Sequence, residues 1–271
     1  MAAALSLQPS FALAQSAATE PETAAELLER SFRNLYADDY VQSMELRTRH
    51  RAGRGVRRRL QITRKQSVRP GKALVRFLEP GDIRRTSILI LENEGANDDL
   101  WVYLPALRLT RRLSSAQRAD SFFGTDLSYE DVEPKRAEDY DASWLARDAV
   151  DPQCATLAIS ARPGIESSYE RVHMCIDQKL AVIRWMEFFQ KGALSKRMAS
   201  DPQSVREVGG HFIPFEMTFT TLRNGSTTTV TTERYEMREE IPDSLFSTWN
   251  LEAGDADRDR RRSGSVGEVA E

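Results

Sequence analysis

From residue 41 to residue 113 the chain is a succession of short period-two segments, each closed by a turn, and this constrains the fold more than any other feature. Residues 41–49 predict a strand, and Gly53 and Gly55 mark a turn. Residues 58–66 predict a second strand, with Leu60 and Ile62 on one face. Pro70-Gly71 turns into 72–79, Pro80-Gly81 into 85–92, and an Asn-, Gly- and Asp-rich stretch into the aromatic strand 100–104. Pro105 and Ala106 lead to a basic strand over 108–113. Hairpins that follow one another at this spacing read as an antiparallel meander.

Residues 114–138 break the pattern, with short helical turns expected over 117–122 and 127–130. The meander resumes in a hairpin holding both cysteines, then in 181–190, 194–200 and 211–222. In the last of these His211, Ile213, Phe215, Met217 and Phe219 share a face. Arg223-Asn224-Gly225 is a tight turn into the Thr-rich strand 226–237. Upstream, Thr19-Glu20-Pro21-Glu22 has the form of a capping box with proline in the first turn. The helix it opens runs to about Tyr36, with Ala24, Leu28, Phe32 and Leu35 as its apolar stripe. The sum is a mainly β chain of about eleven strands and one substantial helix, and a single sheet of that size curls. The expected fold is one curled antiparallel sheet, a half-barrel, with the N-terminal amphipathic helix and short helices covering its concave face.

The two cysteines bear on compartment. If Cys154 and Cys175 stand on the arms of a hairpin centred near Gly164 and Ile165, they face each other directly. Leu157 then opposes Val172 and Ala155 opposes Met174, giving one apolar face with the cysteines on the other. Opposed cysteines fit disulfide geometry and an oxidising compartment; the alternative is two unpaired structural cysteines. Residues 1–14 end in Ala12-Leu13-Ala14, a small-x-small pattern like a signal-peptidase site, without a basic n-region. Export is the expectation, against a disordered N-terminal tail. Residues 253–271 are low in apolar residues and read as a disordered tail, leaving 19–252 as one domain.

Charge and motifs exclude several functions. Residues 47–72 hold eleven basic and no acidic residues, yet the net charge is -3 and no recognition motif is present, which argues against nucleic acid. A solvated sheet face is the default reading, and a surface meeting anionic lipid headgroups is the functional one. His50, His173 and His211 lie on separate strands without metal-ligand spacing. Neither a nucleophile elbow nor a Gly-rich phosphate loop occurs. Asp126, Glu130 and Asp131 suit helix capping better than acid/base chemistry. No catalytic group and no cofactor is therefore expected. What remains is aromatic and aliphatic, and a curled sheet with one covering helix leaves a cavity unless side chains fill it.

Several stretches resemble a known family. FLEPGDIRRTSILILENE, DDLWVYLPALRLTRRLSS and Ala116-Gln117-Arg118 leading into DSFFGTDLSYEDV resemble bacterial outer-membrane lipoprotein-sorting proteins of the LolA-like group, in the branch encoded beside RND/MMPL-type exporters. IDQKLAVIRWMEFFQKGALSKRM and His211-Phe212-Ile213-Pro214 are similar too. The resemblance covers about residues 27–251 and implies a periplasmic half-barrel that carries lipid or acyl chains. Its implied partners are a lipid or acylated lipoprotein, an inner-membrane RND/MMPL-type transporter and, transiently, a membrane surface. A non-enzymatic adaptor of such a transporter, without its own cargo, is the alternative. The expected lipid-binding wall comprises Leu28, Phe32, Leu89, Leu91, Trp101, Tyr103, Phe122, Phe123, Tyr129, Trp185, Phe215 and Phe219.

Overall fold

The computed structural model describes residues 22–36, 38–51, 53, 55–67, 69–145 and 154–252. The expected signal segment, most of the expected capping box at Thr19 and the expected tail lie outside the described residues. Helix α1 (Ala24–Tyr36) takes its capping box from Thr23 instead, where the same Thr-x-x-Glu pattern recurs. Thr23 Oγ1 accepts from the Glu26 amide at 3.2 Å, and the Glu26 carboxylate accepts from the Thr23 amide at 2.8 Å. Ala24, Leu27, Leu28 and Phe32 are buried on one side of the helix.

The chain lays down β1 (Tyr40–Arg49), β2 (Val56–Lys65), β3 (Lys72–Glu79), β4 (Ser87–Leu91), β5 (Asp99–Leu104) and β6 (Leu109–Arg112) as one meander. A second meander holds β7 (Tyr140–Trp144), β8 (Cys154–Ala161), β9 (Arg171–Asp177), β10 (Ile183–Gln190) and β11 (Ala193–Ser200). After the small pair β12 (Val205–Val208) and β13 (His211–Pro214), β14 (Glu216–Thr221) and β15 (Ser226–Met237) join the two. The result is one antiparallel sheet of thirteen strands in the order β6-β5-β4-β3-β2-β1-β15-β14-β11-β10-β9-β8-β7. The expected strand over 211–222 is broken. Pro214 cannot donate to a ladder, and the Phe215 amide bonds the Ser204 carbonyl at 3.1 Å, so β13 leaves for its own partner. The edge strand β7, absent from the expectation, is short and largely exposed.

Because β6 and β7 are consecutive in the chain and lie at opposite edges, residues 113–139 run from one edge to the other. Three contacts tie the β4–β5 and β2–β3 loops to the β8–β9 loop and to the end of this segment. The Glu166 amide donates to Asn97 Oδ1 at 2.9 Å, Arg136 reaches Asp98 at 2.9 Å, and Arg69 pairs with Glu138 at 3.3 Å. Within this segment a 3-10 turn spans Ser115–Ala119 and a short helix, α2, spans Tyr129–Val132.

The main core lies on one face of the sheet, beneath α1 and the segment 113–139. Ala73, Val75, Phe77, Ile88, Ile90, Leu100 and Val102 enter it from β3–β5, and Leu157, Val172, Met174 and Ile176 from β8 and β9. A second, smaller core forms on the other face of β3–β5. There Leu74, Leu89 and Tyr103 are covered by Ile241, Phe246 and Leu251 of the C-terminal segment.

Cys154 and Cys175 form a disulfide, with Cα atoms 5.5 Å apart. Their register differs from the expectation. Cys175 lies opposite Thr156, Leu157 opposite Met174 and Ala155 opposite Ile176. The loop after β8 is longer on the β9 side than a turn centred at Gly164 allows, so the pairing slides by two residues. A slip of two preserves which face each side chain takes, so the cysteines remain neighbours, as a diagonal pair.

Candidate functional site

The α1 helix and the sheet border a partly open, largely apolar cavity of about 180 Å³. Phe32, Leu35 and Tyr36 close it from the C-terminal half of α1, and Leu127 and Val132 from the segment between the sheet edges. Its floor is the inner face of the middle strands. Met44, Ile62, Ala73 and Val75 come from β1–β3, Val230 from β15, Met217 and Phe219 from β14, Met198 from β11, and Met186 and Phe188 from β10. Four of the chain's seven methionines therefore line one cavity. They are grouped by the ladder itself, since Met186 pairs with Met198, Met198 with Phe219, and Met217 with Val230. Unbranched thioether side chains repack around irregular apolar guests more readily than branched ones.

A polar pocket of about 350 Å³ adjoins this cavity and shares Phe32, Tyr36, Arg64 and Lys135 with it. Its other walls include Arg33, Arg69, Arg136, Glu29, Glu92 and Glu138. Most of these charges are matched. Arg33 pairs with Glu29 at 3.4 Å, Arg64 with Glu92 at 2.7 Å, and Arg69 with Glu138; Arg136 reaches Asp98 and Asp139. Lys135 is different. Its ammonium donates to the Glu130 carbonyl at 2.6 Å, and no carboxylate among the described residues lies within ion-pair distance of it. Burial works to lower the Lys135 pKa, but Tyr140, Glu133, Glu130 and Tyr36 outweigh it, so the ammonium titrates above its ordinary range. Burial also raises the Tyr36 phenol and pushes Tyr40 up to about 12.

The carboxylates 126, 130 and 131 fasten the crossing segment to the sheet. Asp126 is not a helix cap: it accepts from Thr221 at 2.6 Å, Ser226 at 2.9 Å and Thr228 at 2.7 Å. Ser128 caps α2, with Asp131 completing the capping box. Asp131 also accepts from Tyr169 at 2.9 Å and pairs with Lys196, while Glu130 takes the Ser168 amide at 2.9 Å and the Ser167 hydroxyl. With every carboxylate held by several donors, the trio is an anchor. Among the described residues no cluster of His, Cys, Asp and Glu is arranged to hold a metal ion. The basic block of β1 and β2 is answered by acids, with Arg47 and Arg57 on Glu45 and Arg59 on Glu79 and Glu233.

Of the residues expected to meet a lipid, Phe32 and Phe219 line the cavity, and Leu28 is buried in the core beside it. Leu89, Leu91, Trp101 and Tyr103 lie on the other face of the sheet, beneath the C-terminal segment. Both faces of β4 and β5 are buried, so the run Ser87-Ile88-Leu89-Ile90-Leu91 carries no alternation to say which side faces the cavity. Phe122, Phe123 and Tyr129 are packed with Phe77 in an aromatic cluster within the core, Phe123 lying 4.5 Å from Phe77 between ring centroids. Trp185 sits opposite Cys175 on the outer face, and Phe215, displaced where β13 leaves the sheet, stacks under Arg206. Sequence reasoning passed over Met44, Met186, Met198, Met217, Tyr36, Arg64 and Lys135. The usable signal was methionine recurring at inner positions of neighbouring strands.

No helix among the described residues is long and apolar enough to cross a membrane. No curated protein matches the chain. Among solved structures, a DUF1329 family protein from Desulfovibrio piger is 23% identical, with a TM-score of 0.77 over 84% of this chain and 97% of its own. A domain from Vibrio parahaemolyticus, described as an outer membrane lipoprotein-sorting protein, is 23% identical, with a TM-score of 0.76 over 84% of this chain and 98% of its own. A LolA superfamily protein from Nitrosomonas europaea is 21% identical, with a TM-score of 0.69 over 85% of this chain and all of its own, 100%. These likenesses establish a LolA-like fold. One family model, whose description reads "Uncharacterized protein", matches residues 70–253, more than half of the chain, and the chain belongs to that family.

Proposed function

We propose that the chain is a periplasmic carrier that shields lipid or lipoprotein acyl chains in the cavity beneath α1 and passes them between envelope partners. The methionine-lined cavity carries this reading. On it, the sheet is curled into a half-barrel around α1. In a flat sheet the β4–β5 and β8–β9 loops would stand at least eight strand spacings apart, about 38 Å at about 4.8 Å each. The hydrogen bond between Asn97 and Glu166, at 2.9 Å, supports the curl.

At about 180 Å³ the cavity is smaller than the roughly 300–1,000 Å³ of ordinary ligand pockets, so loading requires α1 or the crossing segment to move outward. An acyl chain that buries about 200 Å² of apolar surface gains roughly 5 kcal/mol, which offsets the cost of such a movement. Phe32 and Phe219 remain in the binding wall, with Leu28 packed in the core beside it. The disulfide fits an oxidising compartment, with residues 1–14 as export signal, 19–252 as carrier domain and 253–271 as tail. An inner-membrane RND/MMPL-type transporter is the partner envisaged, with transient contact to the membrane surface.

A cargo-free adaptor is the second reading, and the small cavity favours it. Transfer of a fluorescent phospholipid from donor to acceptor vesicles separates the two. The carrier reading expects transfer to rise in proportion to added protein; a rate equal to buffer alone would leave the adaptor.

A further inference from the structure

Arg64 sits where the apolar cavity meets the polar pocket, and its side chain is only 3% exposed. One terminal nitrogen reaches Glu92 at 2.7 Å and Gln66 at 2.9 Å, and the guanidinium lies over the Tyr36 ring at 4.9 Å. Its Nε–H, buried with the rest, donates to nothing. A buried donor without an acceptor bears its full desolvation cost, and an acceptor brought by a ligand removes that cost. Lys135 lines the same two spaces with a protonated ammonium that holds a single carbonyl. An ammonium offers three donors. Arg64, paired with Glu92 through a terminal nitrogen but with its Nε–H unused, and Lys135 thus bring spare donors to the same junction.

We propose that Arg64 and Lys135, around Tyr36, form an anion subsite at the mouth of the cavity that holds the negatively charged head of a bound acyl lipid. This rests on the acyl-carrier reading and names its substrate class: an amphiphile with a carboxylate or phosphate at one end, its chain among the methionines and its head at the junction. The planar guanidinium presents Nε–H along one edge, and the ammonium supplies compensating charge. A neutral chain of the same length gains the apolar contacts and forgoes the charged ones.

Titration with oleate, oleoyl lysophosphatidate and oleyl alcohol, followed by native mass spectrometry, tests the subsite. Wild-type protein is expected to bind an anionic ligand about tenfold or more tighter than the alcohol, the ratio a charge-assisted hydrogen bond supplies. A preference for oleate alone assigns a carboxylate head, and a preference for lysophosphatidate alone a phosphate head. Lys135→Met should abolish the preference, with Lys135→Arg restoring it. Arg64→Lys, which keeps the charge on Glu92 and removes the Nε–H, should weaken it. Equal binding of all three ligands by wild-type protein overturns the subsite and leaves the carrier intact. Binding of none overturns both.

Discussion

Ala73→Leu fills the space beneath α1 from its floor. Ala73 lies on β3 between Arg64 and Ile90 on the neighbouring strands, is 3% exposed and lines the cavity. The substitution adds three carbons. At about 0.8 kcal/mol per buried methylene they are worth roughly 2.4 kcal/mol. Ordering the leucine side chain costs about 0.5–1 kcal/mol, which leaves a net stabilisation of about 1.5 kcal/mol. The gain is available because a void of about 180 Å³, at about 24 cal/mol per Å³, represents roughly 4 kcal/mol of missing packing. For a chain of this size that is a rise in Tm of about 3–6 °C, read by thermal unfolding followed by circular dichroism. Uptake of a fluorescent fatty acid should fall at the same time, because the leucine occupies the guest's place. In a site already filled by its own side chains, the same change would cost about 1–3 kcal/mol through overpacking. A lowered Tm with undiminished uptake would refute the assignment of the cavity.

Three further perturbations separate the parts of the fold. Replacing both Cys154 and Cys175 with serine frees a loop with a sequence separation of 21 and should cost about 3 kcal/mol, measured by urea unfolding. Phe246→Ala, in the outer core under the C-terminal segment, should cost about 3–5 kcal/mol and yet leave fatty-acid affinity unchanged below the melting range. Asp98 is held above the ordinary carboxylate range by burial, which Arg136 offsets only in part. The folded state therefore keeps its proton where the unfolded chain has lost it. The associated stability is complete below the unfolded carboxylate pKa and is lost as pH rises through the folded value. The Tm of Asp98→Asn, measured against wild type, should accordingly improve as pH rises across that window.

The antiparallel meander was legible because each hairpin closes on its own turn, so strand order up to β6 follows from local signals alone. The α1 stripe was legible for the same reason, as was the pairing of the cysteines. Register was less so. The cysteine hairpin slid by two residues because a loop of irregular length fixes no centre, although the alternation of faces survived. The assignment of Leu89, Leu91, Trp101 and Tyr103 to the cavity failed for a different reason. A distant segment, Ile241 to Leu251, buries the outer face of β3–β5, and nothing within β4 or β5 announces it. The cavity itself is a product of the second meander meeting the first through β15 and β14. Three of its methionines stand on β10, β11 and β14 and the fourth, Met44, on β1 far earlier in the chain, so the ladder through β15 is what brings the fourth to the others.

On the proposed function this cavity takes an acyl chain. Native mass spectrometry of the full chain, exported to a bacterial periplasm and purified without detergent, tests it most directly. Adducts with the mass of one acyl lipid, released on gentle activation and regained on adding oleate, are expected. A spectrum of bare protein that takes up no oleate or phospholipid would contradict it.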